Sequence, residues 1–213
     1  MDWHGLLKKL GGEAWFDLPT LEQLAGEKRE HLLMQLHRWC AAGKLVRLRR
    51  GMYAFGEEYR KKPVNPARLA NHLYAPSYLS LQWALSYHGL IPEAVFELTS
   101  VTTRPTKRFE NSFGRFSYRS LKKDRFWGYR PVKFANGTAQ LASPEKALID
   151  YWYLDRGAWN LDRMWEMRFQ NFDMVDAEAL RRAVQRFASR KVEDALNIWE
   201  KLRKRATEGT VEL

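Results

Sequence analysis

Apolar side chains recur at helical spacing through the first third of this chain. Trp3, Leu6, Leu7 and Leu10 fall at i, i+3, i+4 and i+7, which predicts a short amphipathic helix ended by Gly11 and Gly12. Thr20, with Gln23 three residues on, predicts a capped second helix whose buried side is Leu21, Leu24 and Ala25. Gly26 permits a sharp exit. A third helix is predicted from Glu27 to Ala42, with Leu32, Leu33, Leu36, Trp39 and Cys40 on one face. The opposite face then carries Glu27, Glu30, His31, Met34 and Arg38, flanked by Lys28 and Gln35. Leu45 to Leu48 and Met52 to Phe55 read as strands joined through Arg49, Arg50 and Gly51. Helix, turn, helix and basic ribbon in that order predict a winged helix-turn-helix.

Pro63 and Pro66 in a charged stretch mark a boundary, so the expected domains are residues 1–62 and 67–213. Helices are predicted over Ala67 to Tyr74 and around Leu81, Ala84, Leu85 and His88, the latter capped by Ser77 or Ser80. Strands are predicted over Val95 to Thr102, Gly114 to Leu121 and Phe126 to Phe134. In the second of these, Phe116 and Tyr118 alternate with Arg115, Ser117 and Arg119, giving one buried and one basic face. Ser143 and Pro144 open a helix with Leu148, Ile149 and Trp152 on its apolar side, and Asp176 to Arg205 reads as a helical tail. The expected class is α+β: a winged helix-turn-helix, then a mixed α/β domain with an antiparallel sheet and a helical tail.

Charge adds a partner to this outline. A formal net charge of +11 favours an anionic partner, with nucleic acid first and an acidic membrane second. DNA is the reading for the first domain: Lys28, His31, Gln35 and Arg38 approach base edges while Arg47, Arg49 and Arg50 hold backbone. The competing reading is a protein-contact fold whose arginines guard a short hairpin edge. A second basic stretch, Val101 to Lys133, interleaves cations with aromatics. Arg104, Lys107, Arg108, Arg115 and Arg119 form a possible second anionic contact there, the aromatics being read mainly as a buried sheet face. A single cysteine, Cys40, an N-terminus unlike a signal peptide and no apolar run of ~20 residues point to the cytoplasm, with no membrane partner.

Catalysis finds little support, and no cofactor is expected. The five histidines have neither HExxH spacing nor partner cysteines, so no metal site is expected. No Walker loop or GxGxxG occurs. No acidic-x-Lys tripeptide or Gly-Ser before Asp-x-Asp/Glu occurs either. Nothing around Ser77, Ser80, Ser86 and His88 has the form of a nucleophile elbow. Glu145, Lys146 and Asp150, charged groups on one short helix, could hold a site, but first-turn Glu145 and the later Lys146 read as ordinary helix residues.

Several segments taken together resemble the AbiEi family, the antitoxins of bacterial type IV toxin–antitoxin systems. They are Ser77 to Glu93, Thr99 to Arg104, Gly114 to Tyr118 and Ser143 to Leu154, with Arg49 to Phe55 closing the first domain. The resemblance covers roughly residues 18–155. It implies binding to inverted repeats of double-stranded DNA upstream of the protein's own operon, and autorepression. It also implies a C-terminal domain that counteracts a neighbouring nucleotidyltransferase toxin without a stable complex, and it transfers no catalytic residue. The alternative is a stand-alone DNA-binding transcription regulator with no toxin partner.

Overall fold

Asp2 accepts a hydrogen bond from the Gly5 amide at 2.8 Å and so caps α1 (Trp3–Leu10), which buries Leu6 and Leu10. The computed structural model describes residues 1–208, and the class is α+β, as expected. A strand that no alternation announced, β1 (Trp15–Asp17), comes next. Asp17 caps α2 (Leu18–Ala25) in place of Thr20, whose amide donates to the Asp17 carboxylate at 3.0 Å. Thr20 instead lies inside the first turn. Gly26 leaves α2 at φ +66, a left-handed conformation that costs a residue without Cβ nothing. After α3 (Arg29–Ala41), β2 (Leu45–Arg49) and β3 (Met52–Phe55) form an antiparallel hairpin. β1 pairs with the other edge of β3, giving the order β1-β3-β2.

The longer segment begins with α4 (Pro66–Leu73), β4 (Ser77–Leu79) and α5 (Leu81–Tyr87). Strands β5 (Leu98–Thr102), β6 (Lys107–Asn111), β7 (Gly114–Ser120), β8 (Tyr129–Phe134) and β9 (Gly137–Ala142) follow. Among the described residues they form a six-stranded sheet of order β6-β7-β5-β4-β9-β8. The expected antiparallel sheet is therefore corrected to a mixed one, because β5 runs parallel to β7 and β4 parallel to β9. The reason lies in the connections. β6 takes the sheet edge and hairpins back into β7, which reaches its place beside β5 with the same direction. β4 and β5 sit mid-sheet with every residue buried, so neither shows the alternation of a half-exposed strand.

α6 (Pro144–Leu154), capped by Ser143, is followed by α7 (Leu161–Glu166), α8 (Ala177–Phe187) and α9 (Arg190–Glu208). Ala188, in the left-handed region at φ +52, divides the predicted tail into two helices. α6 buries Lys146 and Asp150 along with Leu148, Ile149 and Trp152, so it has no purely polar side.

Two apolar clusters result. One is centred on Leu6, Leu21, Leu32, Leu36 and Phe55; the other fills the space around the large sheet and extends to Trp199. The hairpin contributes to both, since Leu48, Met52 and Ala54 belong to the larger cluster. Asn111 donates to the Leu48 carbonyl at 3.3 Å, and the Arg68 guanidinium lies 4.8 Å from the Trp15 ring centroid. Among the described residues, no helix is long and apolar enough to cross a membrane.

Candidate nucleic-acid interface

Burial of Leu32 and Leu36, both 0% exposed, sets the rotation of α3. Leu33 lies one step, ~100°, around the helix from Leu32 and is 40% exposed, which corrects its expected place in the core. Met34 is 56% exposed beside it. Leu33 and His37 project into a groove of about 660 Å³ that also takes Arg29. The opposite wall is the hairpin, through Arg47, Arg49 and Arg50. Arg29 is steadied by Glu22 of α2 at 2.5 Å. Cys40 lies on the groove floor, half-buried; burial pushes its thiol up, with Arg47 opposing. A protonated thiol is a poor nucleophile, in keeping with its expected role as packing.

The residues expected to touch DNA do not all stand on this groove. Lys28 and His31 are exposed but do not line the groove, and Arg38 is exposed beside Met34 and His37. Gln35 is tied internally instead: its Nε2 donates to Glu27 at 3.3 Å and its Oε1 accepts from the Met1 ammonium at 3.5 Å. These two contacts use one N–H and one lone pair of the amide and leave one of each. Arg47 and Arg50 are exposed, as a backbone contact requires. Arg49 differs. The register irregularity between Arg47 and Arg49 re-aims the strand. The Arg49 Nη1 donates to the Arg50 carbonyl at 3.0 Å, while its Nε is buried with no partner among the described residues.

Arg29 and His37 are groove residues that pattern reading missed. Their signal was present, since Arg29, Leu33 and His37 are spaced four apart, but assigning Leu33 to the core hid the face they share.

The second basic stretch divides across its sheet. Phe116 and Tyr118 are fully buried, so these aromatics are core. Arg104 folds back, donating to the Ala75 carbonyl at 3.2 Å and stacking 4.1 Å from the Tyr74 ring centroid. Arg115 is exposed, while Lys107, Arg108 and Arg119 border a separate cavity with Arg156.

One cluster is buried where the sequence pointed to ordinary helix charges. Lys146 and Asp150, 1% and 0% exposed, form an ion pair one turn apart on α6. Tyr78 and Ser80 each donate to the Asp150 Oδ2 at 2.8 Å, and Lys146 donates to the Tyr78 hydroxyl at 2.9 Å. Ser80 thus spends its hydroxyl on Asp150 and does not cap α5 with it. Trp127 and Phe187 present ring faces 5.2 and 5.3 Å from the ammonium. Burial drives the lysine's pKa down against the pull of Asp150, and burial, then Asp150, holds the Tyr78 hydroxyl well above its ordinary range. Gly128, at φ +77, passes so close that a Cβ there would stand 2.9 Å from the Lys146 Cγ. Sealed from solvent, the cluster fastens α6 to β4 and offers substrate no approach.

Among the described residues, no group of three or more His, Cys, Asp or Glu side chains is placed to hold a metal ion. Compared with protein-family models and with curated proteins, the chain matches none.

Proposed function

We propose that residues 1–62 form a winged helix-turn-helix and that the protein is a DNA-binding repressor. The observation that carries this reading is the groove itself, in which α3 presents Arg29 and His37 and the hairpin presents Arg47 and Arg50 toward the same open space. A helix of 13 residues is long enough to lie in the major groove, and a basic hairpin beside it reaches the flanking backbone. Leu33 and Met34, exposed on α3, suit the methyl groups of thymine. Arg38 and His37 are the residues best placed to address base edges, with Lys28 and His31 toward the other strand's phosphates.

The resemblance to AbiEi antitoxins in sequence supplies the biological setting: an inverted-repeat operator upstream of the protein's own operon and a nucleotidyltransferase toxin counteracted without a stable complex. Fluorescence anisotropy with the upstream duplex and a scrambled duplex tests the first part. The upstream duplex should bind more tightly, and affinity should fall steeply between about 50 and about 200 mM salt. Absence of salt-dependent duplex binding overturns the repressor reading. Co-expression with the adjacent toxin gene tests the second. Restored growth supports an antitoxin; no rescue beside intact operator binding leaves a stand-alone regulator.

A further inference from the structure

We infer that the cavity bordered by β5, β7 and β6 is a binding site for a small ligand carrying a di- or triphosphate chain. The cavity measures about 800 Å³ and shares no lining residue with the groove beside α3. Lys107 and Arg108 of β6, Arg119 of β7 and Arg156 beyond α6 line it, against one acid, Glu97. Glu97 reaches Arg108 at 4.0 Å, a loose pair that leaves a clear positive excess. Arg108, opposite Ser117, shares a face with Arg119, and Arg156 joins them from beyond α6, whereas Lys107, opposite Tyr118, borders the cavity from the other face of β6.

Two further features point to a ligand. Ser117, only 8% exposed, lines the cavity. A hydroxyl placed there can donate to a phosphoryl oxygen. Arg119 is preset, its Nη2 donating to the Leu154 carbonyl at 2.5 Å, so little side-chain freedom is lost on binding. The planar guanidinium forks of Arg108, Arg119 and Arg156 match phosphate geometry. No ring face is offered to a base: Tyr118 turns its ring to the other side of the sheet, where its hydroxyl donates to the Ala70 carbonyl at 2.6 Å. The site therefore reads the phosphate chain.

Isothermal titration of the full chain with inorganic tripolyphosphate near physiological ionic strength tests the site, with ATP as a second titrant. Saturable binding of one ion per chain is expected. Arg108→Ala with Arg156→Ala should weaken it at least about tenfold, and Ser117→Ala severalfold, with circular dichroism and duplex affinity unchanged. ATP binding as tightly as tripolyphosphate identifies the source as a nucleotide, and clearly weaker ATP binding identifies an inorganic chain. No saturable heat, or binding retained in the double variant, overturns the proposal. So does loss of duplex affinity in that variant with tripolyphosphate binding unchanged, which makes the patch a nucleic-acid surface. Because the duplex is measured separately, failure here and failure of the repressor reading are distinguishable.

Discussion

Lys146 and Asp150 show how differently one residue type behaves in water and in a core. Four residues apart on a helix, they have the spacing of a common surface pair, yet neither touches solvent. Removing one partner of such a pair strands a buried charge. Asp150→Asn or Lys146→Met is expected to cost ~3–5 kcal/mol in urea unfolding, and removing both together should cost less than the sum. Additive losses would show that the two do not act as a pair. His72 and His88 provide a second residue-scale test. Burial lowers the pKa of both, aided at His72 by Arg68 and opposed at His88 by the Ala142 carbonyl and Glu145. The unfolded chain then binds more protons than the native one just below about pH 6.5. Stability should be fully present above that value and fall as the pH drops through it toward the lowered native values. Replacing both histidines with glutamine should flatten that slope, and an undiminished slope would assign the pH dependence to other groups.

At the scale of elements, α3 and the hairpin carry the proposed interface. Arg47→Ala with Arg50→Ala should weaken duplex binding alike on all sequences and reduce the log–log salt slope by ~2, one phosphate contact being lost per arginine. An unchanged slope removes the hairpin from the interface. Arg49, braced against Arg50 and partly buried, is not the residue to use for this test. The rotation of α3 has its own check: Leu32→Ala should cost ~2–5 kcal/mol of stability, whereas Leu33→Ala should stay within about 0.5 kcal/mol. Equal losses would contradict the exposed place of Leu33. Much at this scale could be read in advance. α1, α3, both hairpin strands and α6 follow from strong local periodicity or capping, and their bounds lie within a residue or two of expectation. β1 and β4 are three residues each, too short to display a period, and β6 is an edge strand whose charges read as loop.

For the whole molecule, the hairpin couples the two segments. Leu48, Met52 and Ala54 pack into the cluster of the large sheet while neighbouring Leu45 and Phe55 pack into the smaller one. Thermal unfolding followed by tryptophan fluorescence and by far-ultraviolet circular dichroism should therefore give coincident transitions. Two separated transitions would mean that these shared contacts do not couple the halves.

Local chemistry along the chain settled where α1, α3, α6 and the hairpin form, the α+β class, and the concentration of positive charge in residues 101–133, because periodicity, caps and charge are properties of neighbours in sequence. Which face of α3 meets solvent, where Gln35 and Arg104 spend their hydrogen bonds, and the mixed order of the large sheet were decided only by folding. So was the meeting of Lys107, Arg108, Arg119 and Arg156 around one cavity. Each depends on residues brought together from distant parts of the chain, and their burial and pairing exist only once those parts are packed.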